Sequence, residues 1–369
     1  MIKILFFIHD LGQGGAEKVL VNLVNNMDKQ KFDITVMSLF GGGVNEQFLN
    51  PDIHYISVFK KTIPANSKLM KLLSPKQLHR MFVREEYDIE ISYLEGPTAR
   101  IISGCEDRRT KKCCWIHSNH FSENEVASSF RSYEEAVRCY NSYDKIICVS
   151  QFMRDNFCEW IPVTNKCEVL YNTVESEDIL RQSNDDASEL AEDGAIRLVA
   201  IGSLKEIKGF DRLLRIAKRL KEDRALFHLY ILGKGPLKKQ LEDFVSKNAL
   251  NDCVSLLGYQ MNPYKFVAKC DLFVCSSHSE GFSTAATEAL IVGTPVCTVE
   301  VSGMKEMLGE GNEYGLVVPN DEESLFQGIK SLLDDRELLE QYKKQAEIRG
   351  RMFSTKNTVK AVEEMLENL

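Results

Sequence analysis

The strongest constraint on the fold is an alternation of short apolar segments with helical patterns, which runs through the chain twice. In the first half, the strand-like segments are Ile2 to Ile8, Asp33 to Leu39, Ile89 to Leu94, Cys113 to Ile116 and Lys145 to Val149. In the second half they are IRLVAIGSL, LFHLYILGKG, CVSLLGY, CDLFVCSS, GTPVCTV and YGLVVPN. Strands that alternate with helices form mostly parallel sheets covered by helices. The sequence therefore predicts an α/β fold with two doubly wound, Rossmann-like domains.

An acidic stretch separates the two halves. Residues 175–194 contain eight acidic residues and one arginine without a sustained apolar stripe, which indicates a solvated connector with some helix. We expect one domain over residues 1–172 together with a C-terminal helix at about 354–369, and a second domain over residues 173–353. Doubly wound folds bind ligands at the carboxyl ends of their strands. The predicted site is therefore a cleft across which the two domains face each other.

Composition narrows the possible functions. The formal net charge of -8 argues against nucleic acid as a partner. The apolar run in MIKILFFIHD is too short for a signal peptide or a membrane span, and no later run approaches the about 18 residues that a span requires. The 11 cysteines show no CxxC spacing, which favours reduced thiols in a cytoplasmic protein and no zinc site.

Four glycine-containing loops follow predicted strands. Their glycines let the backbone approach a ligand, and the helix that follows each loop presents amides that favour anions. Considered alone, the loop at Gly14 and Gly15 is as consistent with a tight turn as with a ligand-binding loop. A single lysine such as Lys208 is more often solvated than bound to phosphate. The loops lack the complete GxGxxG pattern with a later acidic residue, which a nicotinamide-dependent dehydrogenase would need.

The stretch SHSEGFSTAATEALIVGTPV, residues 277–296, is the most informative of the four. Glu280 precedes a glycine turn, the amides of Gly281 to Thr284 begin a predicted helix, and Glu288 lies two turns into that helix. Carboxylates accept hydrogen bonds from hydroxyl groups, whereas amides at a helix N-terminus bind phosphate. Ordinary acidic residues on a surface helix are the alternative. The arrangement favours a nucleotide sugar, which carries hydroxyls at both ends and a diphosphate between them.

These segments together resemble the retaining glycosyltransferases of family 4, which have the GT-B fold and use nucleotide-diphosphate sugars. The resemblance runs nearly end to end through GQGGAEKVLVNLV, WIHSN, VSQFMRDNF, VLYNTVE, GSLKEIKGFDRLL, LGKGP and EGFSTAATEAL. The last of these matches the family's E-x7-E signature and is the most specific. The resemblance implies a GT-B fold and hexosyl transfer, with a UDP-sugar as the expected co-substrate.

The resemblance also implies roles for individual residues. The catalytic set would be His117, Glu280 and Lys208. The donor-binding set would be Gly14, Gly15, Ser203, Lys205, Lys208, Gly233, Gly235, Tyr259, Gln260, Gly281, Phe282, Ser283, Thr284 and Glu288. His117 and Glu280 would contact the donor sugar, and Glu288 the ribose. The stretch Gly258-Tyr259-Gln260 would lie against the base. A front-face reaction is usually drawn for the family, so stabilising charge on the leaving diphosphate would be the main catalytic task.

One position departs from the family pattern. An arginine usually follows the first glycine of the GRLxxxKG motif, and here that residue is Ser203, which removes a positive charge from the predicted leaving-group pocket. Lys205 is the candidate replacement, and a non-catalytic nucleotide-sugar-binding protein is the alternative function. Ser276 likewise stands where a proline is common. We expect no metal and no cofactor, because the paired aspartates at 185–186 and 334–335 lie away from the predicted site.

A basic segment in the first domain bears on the acceptor. Residues 60–84 contain seven Lys or Arg, interleaved with apolar residues, and no acidic residue, and EDRRTKK adds a second basic cluster. Such a segment either lies on an anionic membrane surface or forms solvated helices that pack on the sheet. We expect a glycan or lipid-linked glycan acceptor in cell-surface polysaccharide assembly. The expected location is the cytoplasm, at the inner face of the plasma membrane.

Overall fold

The computed structural model describes residues 1–12, 14–61, 70–191, 193–280 and 282–369, whose strands form two parallel sheets. The first sheet contains β1 (Ile2–Ile8), β2 (Phe32–Phe40), β3 (His54–Phe59), β4 (Ile89–Ser92), β5 (Lys111–Ile116), β6 (Lys145–Cys148) and β7 (Cys167–Val169). The second contains β8 (Ile196–Ile201), β9 (Phe227–Leu232), β10 (Val254–Gly258), β11 (Leu272–Cys275), β12 (Val296–Val299) and β13 (Leu316–Val318). The predicted α/β fold with two doubly wound sheets is confirmed.

Helices connect the strands. In the first half they are α1 (Gly15–Asn26), α2 (Pro75–Phe82), α3 (Pro97–Ile102), α4 (Glu123–Val126), α5 (Tyr133–Asn141) and α6 (Gln151–Trp160). They continue with α7 (Ser176–Ser183), α8 (Phe210–Glu222), α9 (Lys238–Lys247), α10 (Tyr264–Val267), α11 (Thr284–Ile291), α12 (Met304–Leu308), α13 (Glu322–Asp334), α14 (Arg336–Met352) and α15 (Thr355–Glu367). Among the described residues, no helix is both long and apolar enough to cross a bilayer.

The order of the strands identifies the edge at which ligands bind. The first sheet has the order β3-β2-β1-β4-β5-β6-β7, and the second has the order β10-β9-β8-β11-β12-β13. In both sheets the order reverses beside the central first strand, between β1 and β4 and between β8 and β11. At such a switch point the connecting loops diverge and leave a crevice at the carboxyl ends of the strands. The loops after β1, β4, β8 and β11 are therefore the expected ligand-binding loops.

The described residues form two compact units. One consists of Met1–Val174 together with Thr355–Leu369, and the other of Glu175–Ser354. The central strands are buried on both faces, as parallel sheets require, and Ile4 to Ile8 of β1 are fully buried. The helix α15 belongs to the first unit, where Thr355 Oγ1 donates to the Val174 carbonyl at 2.7 Å and the Asp28 N–H donates to Glu363 at 2.6 Å.

Two features of the fold differ from the prediction. The strands β3 and β7 were missed, because their residues are only partly buried and form no strong apolar run. The acidic stretch was interpreted as a solvated connector, but Ile179, Ala187 and Leu190 within it are buried. Its helix α7 packs against α10 and α11, and Asn262 Nδ2 donates to the Gln182 carbonyl at 2.9 Å. The interpretation is wrong for these three residues. Ala187 and Leu190 lie beyond the end of α7 at Ser183, so their burial is not part of a stripe along that helix.

Candidate functional site

Two predicted catalytic residues meet at the carboxyl edge of the second sheet. Lys208 ends a short helical turn after β8, and Glu280 lies in the loop after the neighbouring strand β11. Lys208 Nζ donates to the two carboxylate oxygens of Glu280 at 2.7 and 2.8 Å. The side chains are 26% and 10% exposed, respectively. The pair is therefore largely shielded from water, which strengthens its electrostatic attraction.

The Glu280 carboxylate is held from a second side. Ser277 Oγ donates to Glu280 Oε1 at 2.5 Å, and Cys275 Sγ lies 4.0 Å from the same oxygen. Burial, and then the nearby charge of Glu280, raises the pKa of the Cys275 thiol, so the thiol stays protonated. Because Ser277 and Lys208 fix its orientation, the carboxylate is preorganised to accept hydrogen bonds from a ligand.

Arg212 of α8 binds the loop that carries Glu280. Its Nε donates to the Ser276 carbonyl at 2.6 Å, and its Nη2 donates to the Ser277 carbonyl at 2.7 Å. Its Nη1 donates to Asn320 Oδ1 at 2.9 Å. Burial lowers the pKa of Arg212, but a guanidinium keeps its charge in proteins. The planar guanidinium directs separate N–H groups at three acceptors, a fork that the compact ammonium of a lysine does not present.

Two glycines allow the loops of the second unit to come close together. Gly209 has a φ of 62°, and a Cβ on it would lie 2.0 Å from the Ser276 carbonyl oxygen. Gly233 has a φ of 149°, and a Cβ there would lie 1.8 Å from the Gly202 carbonyl oxygen. Ser276 adds a hydrogen bond to this contact, since its Oγ donates to the Lys208 carbonyl at 3.0 Å. A proline, which the family commonly has here, could not make that bond.

The helix α11 begins with a capped turn at the same edge. Ser283 is its N-cap, and the Ser283 hydroxyl accepts a hydrogen bond from a first-turn N–H at 3.3 Å. Phe282 is buried, with its ring centroid 6.0 Å from that of Phe353, and Thr284 is the first helical residue. Gly281, the remaining residue of this predicted phosphate-binding turn, lies outside the described residues. The cap and the buried ring fix the direction of the helix N-terminus.

Glu288 lies in the second turn of α11 and is partly exposed. Tyr264 Oη donates to Glu288 Oε1 at 3.4 Å. Burial, followed by the charge of Glu288, raises the pKa of Tyr264, so the phenol remains a hydrogen-bond donor at all physiological pH values. The second predicted carboxylate is thus oriented by a buried tyrosine that sequence reasoning missed.

Tyr259 and Gln260, the residues predicted to lie against the base, follow β10. The Tyr259 side chain is 63% exposed, and Lys234 Nζ lies 4.6 Å from the centroid of its ring. Gln260 Nε2 donates to the Leu257 carbonyl at 2.8 Å. An exposed aromatic ring offers a face on which a nucleobase can stack.

Ser203 and Lys205, at the position of the missing arginine, are both exposed. Among the described residues, neither side chain takes part in a hydrogen bond or an ion pair. The adjacent loops touch, because a Cβ on Gly235 would lie 2.5 Å from the Leu204 carbonyl oxygen. Lys205 is therefore an exposed lysine in the loop that contacts the turn at Gly235.

In the first unit, Gly14 caps α1 and Gly15 is its first residue. A Cβ on Gly14 would lie 2.0 Å from Glu17 Oε2, whereas the space around Gly15 is open. Burial raises the pKa of Glu17, and the charge of Asp10 acts in the same direction. The Glu17 carboxylate thus lies against the Gly14 Cα, in space that a side chain at position 14 would share only if Glu17 turned away.

His117 follows β5 at the carboxyl edge of the first sheet. Its backbone N–H donates to Glu95 Oε2 at 2.9 Å, and its ring centroid lies 5.1 Å from that of Tyr93. Its Nε2 is shielded from solvent and has no hydrogen-bond partner among the described residues. Burial lowers the pKa of His117 to about 4, although Glu95 opposes the shift. The imidazole is therefore neutral at pH 7, with a polar atom left for a ligand.

The helix α6 holds the segment after His117. Asn156 Oδ1 accepts from the His120 N–H at 2.8 Å, and Asn156 Nδ2 donates to the His120 carbonyl at 3.0 Å. Trp160 Nε1 donates to the same carbonyl at 2.9 Å. Three hydrogen bonds from one helix thus fix the backbone three residues beyond the predicted catalytic histidine.

Comparisons with known proteins establish the family. Residues 13–178 match the model described as Glycosyltransferase Family 4, and residues 181–349 match the model described as Glycosyl transferases group 1. The chain belongs to glycosyltransferase family 4. It is 31% identical over 368 residues to a Campylobacter jejuni protein, N-acetylgalactosamine-N,N'-diacetylbacillosaminyl-diphospho-undecaprenol 4-alpha-N-acetylgalactosaminyltransferase, and the match covers 96% of each chain.

Other relatives of this family 4 chain are more distant. The lipopolysaccharide core biosynthesis glycosyltransferase LpsD of Rhizobium meliloti is 23% identical, over 90% of this chain and 89% of the relative. Among solved structures, Anabaena HepE in complex with UDP superposes with a TM-score of 0.80 at 18% identity, with both chains fully covered. TarM superposes with a TM-score of 0.74 at 14% identity, over 100% of this chain and 98% of TarM. The GT-B fold is confirmed.

Sequence reasoning missed several residues that support the site of this family 4 glycosyltransferase. Ser277 could have been found, because a hydroxyl three residues before a functional carboxylate is a plausible partner. Arg212 could not be told apart from Arg215 in the same helix, yet Arg215 pairs with exposed carboxylates and Arg212 is buried. Tyr264 lies 24 residues from Glu288 and carries no local signal of the contact.

One cluster of potential metal ligands occurs among the described residues, and it lies outside the predicted site. The ligand atoms of His79, Glu90 and Cys105 lie within 4.8 Å of one another. His79 Nε2 lies 2.7 Å from Glu90 Oε2, and Glu90 is 2% exposed. Burial by itself would lower the pKa of His79, but its contacts with Cys105 and Glu90 raise it to about 9. The imidazolium therefore compensates the buried Glu90 charge, and its nitrogen is protonated at neutral pH.

Proposed function

We propose that this glycosyltransferase is a retaining hexosyltransferase that moves a sugar from a UDP-sugar to a hydroxyl of a lipid-linked glycan in cell-surface polysaccharide assembly. The observation that carries the proposal is the Lys208–Glu280 pair at the carboxyl edge of the second sheet. It sets a carboxylate, which binds sugar hydroxyls, beside an ammonium, which binds phosphate.

Donor binding would use the two partners of this pair separately. A diphosphate brings negative charge to the N-terminus of α11 and attracts Lys208, whose stem is flexible and whose charge acts as a point charge. Glu280 keeps its position when Lys208 turns, because Ser277 still donates to it and Arg212 still holds the loop. Its carboxylate then accepts hydrogen bonds from the donor sugar. Donor binding would thus separate the ion pair, with Glu280 bound to the sugar and Lys208 bound to the diphosphate.

The reaction needs charge stabilisation more than a strong base. The bond from the anomeric carbon to the diphosphate oxygen breaks, the acceptor oxygen bonds to the same face of that carbon, and the departing diphosphate takes the acceptor proton. Lys208 and the amides of α11 stabilise the charge on the leaving group. The neutral His117 offers Nε2 to the sugar without adding a charge near the oxocarbenium-like centre. None of these steps uses a metal or an organic cofactor.

Two relatives support the finer parts of this proposal. The solved complex of HepE with UDP supports uridine as the base. The Campylobacter jejuni relative is named for a diphospho-undecaprenol substrate and an alpha linkage. A lipid-linked acceptor fits the diphospho-undecaprenol in that name. A retaining mechanism fits the alpha linkage, because it transfers an alpha-linked donor sugar without changing its anomeric configuration.

The basic segment in the first unit supports an acceptor at a membrane surface. Its described part presents Leu72, which is 76% exposed, and Met81, which is 47% exposed, while residues 62–69 lie outside the described residues. Arg131 Nη2 donates to the Leu72 carbonyl at 2.8 Å, so this apolar side chain projects from a supported turn. Exposed apolar side chains among lysines and arginines suit the interface of an anionic bilayer. We propose that the protein acts there, at the inner face of the plasma membrane.

The test is transfer from a panel of UDP-, GDP- and ADP-sugars to membrane-extracted acceptors. Wild type should use a UDP-sugar, and Glu280→Ala should lower kcat/KM by about 100-fold or more, as loss of a preorganised polar contact in an active site does. The matched control is Glu300→Ala, because Glu300 forms an exposed ion pair with Lys305 at 2.7 Å in the same unit. The control should keep wild-type kinetics. Nuclear magnetic resonance of the product reports the anomeric configuration.

A non-catalytic nucleotide-sugar-binding protein is the second candidate, because Ser203 supplies no charge to the leaving-group pocket. Calorimetric binding of a UDP-sugar without turnover, with every acceptor, would favour that function. Failure to bind any nucleotide sugar would contradict both candidates. Turnover of a UDP-sugar by wild type, lost in Glu280→Ala and kept in Glu300→Ala, establishes the transferase.

A further inference from the structure

Three cysteines converge at the last two strands of the first sheet. Cys148 ends β6, Cys158 lies in α6 and Cys167 begins β7. Cys158 Sγ lies 3.4 Å from Cys167 Sγ, a contact between two reduced thiols. Cys158 and Cys167 are partly exposed, whereas Cys148 is buried. A small oxidant can therefore reach the outer two sulfur atoms, which already touch.

The three thiols differ in their chemistry. The hydrogen bond from Cys148, followed by that from Cys158 and the charge of Arg154, lowers the pKa of Cys167 to about 7 against the opposing effect of burial. Burial raises the pKa of Cys158 to about 11. Cys167 is thus the more acidic of the outer two thiols, and Cys158 is a neutral thiol beside it. A reactive thiolate next to a resolving thiol is the arrangement that forms disulfides.

We propose that Cys158 and Cys167 form an oxidation site that a peroxide converts to an intramolecular disulfide. The Cys167 sulfur attacks one peroxide oxygen, the O–O bond breaks, and a sulfenic acid forms with release of water. The Cys158 sulfur then attacks the sulfenic sulfur, the S–O bond breaks, and the disulfide forms with release of a second water. Two thiols give two electrons to one hydrogen peroxide, and a cellular thiol reverses the step by exchange.

The site lies on the helix that supports the predicted active-site loop. Cys158 is flanked in α6 by Asn156 and Trp160, both of which bind the His120 backbone. A disulfide to Cys167 would attach this helix covalently to β7. Oxidation would thus act on the same element that positions the segment after His117.

The experiment treats the full-length protein with hydrogen peroxide, blocks the remaining thiols with N-ethylmaleimide and maps the peptides by mass spectrometry. We expect a peptide pair linked through Cys158 and Cys167, two hydrogen atoms lighter than the reduced pair. Cys167 should react about threefold faster than an ordinary thiol, since its larger thiolate fraction outweighs its lower intrinsic nucleophilicity. N-acetylcysteine, oxidised in a separate reaction, is the reference for an ordinary thiol.

A variant separates the formation of the sulfenic acid from the formation of the disulfide. In Cys158→Ser the resolving thiol is gone, so a sulfenic acid should accumulate on Cys167 and be trapped by dimedone. A linkage of Cys158 or Cys167 to another cysteine, oxidation of Cys167 no faster than that of N-acetylcysteine, or no linkage at a dose that fully oxidises N-acetylcysteine would each overturn the proposal. The readout is independent of transferase activity, so it stands or fails separately from the proposed function.

Discussion

Replacement of Gly209 by alanine tests whether backbone packing sets the geometry of the donor site. The new Cβ would lie 2.0 Å from the Ser276 carbonyl oxygen, far inside any tolerated contact, and the residue would keep a φ of 62°. The two loops would have to separate by about 1 Å, which is the scale at which overpacking is felt. Gly209 follows Lys208 directly, so the separation would act on the Lys208–Glu280 hydrogen bonds.

The expected loss of folding stability in Gly209→Ala has two parts. A non-glycine residue in the left-handed region costs about 1–2 kcal/mol. Overpacking against a backbone atom adds about 1–3 kcal/mol. Gly194 isolates the first part, because its φ is 76° and a Cβ there would meet nothing within 4 Å. We therefore expect Gly194→Ala to lower the free energy of unfolding by about 1–2 kcal/mol and Gly209→Ala by about 2–5 kcal/mol.

The assay is urea denaturation followed by circular dichroism, because both tryptophans, Trp115 and Trp160, lie in the first unit and their fluorescence would not report on the second. Calorimetric titration with the donor that wild type uses gives the functional effect. Gly209→Ala should weaken donor binding, and Gly194→Ala should not. If the unfolding free energies of the two variants agree within about 0.5 kcal/mol, the scale of a neutral surface change, the close approach does not constrain the loops and the reasoning is wrong.

Three further predictions concern the residues around the site. Arg212→Lys removes the guanidinium fork whose two nitrogens donate to the Ser276 and Ser277 carbonyls. It should lower the free energy of unfolding by about 2–4 kcal/mol and weaken donor binding, and unchanged values of both would contradict the assigned role. Because the pKa of His117 is about 4 when folded and 6.5 when unfolded, the unfolded state binds more protons between these values. The stability advantage of wild type over His117→Gln should therefore be complete above pH 6.5 and shrink as the pH falls towards 4. A titration midpoint near pH 6.5 for the nuclear magnetic resonance signal of the His117 imidazole would argue against its burial. Transfer should continue in excess EDTA, whereas a loss that Mg²⁺ or Mn²⁺ restores would show that a metal takes part.

The architecture could be predicted because central parallel strands are buried on both faces. Segments such as LFVC in β11 and ILFFI in β1 are buried throughout, so each appears in the sequence as an uninterrupted apolar run. The edge strands β3 and β7 lack this signal, since one face or one side of each is open to solvent. The burial of Ile179 in the acidic stretch was equally hidden, because it depends on contact with α10 and α11 rather than on a local pattern.

The candidate site was only partly predictable for a related reason. Glu280 and Lys208 could be singled out from their motifs, but their direct pairing depends on the adjacency of β8 and β11, which lie 70 residues apart in the chain and whose order no local pattern encodes. The carbonyl groups that Arg212 binds are main-chain atoms, so no residue type marks them in the sequence. The close approach of Gly209 to the Ser276 carbonyl oxygen also depends on the adjacency of β8 and β11.

The position of α15 has a consequence for the order in which the chain can fold during synthesis. The second unit is an insertion within the first, because residues Glu175–Ser354 are flanked by the two segments that build the other unit. Domains fold as units while the chain emerges from the ribosome. The second unit can therefore finish folding while the first still lacks its last helix, with α1 partly uncovered. The first unit is completed only when Thr355 reaches the Val174 carbonyl and Glu363 reaches the Asp28 N–H.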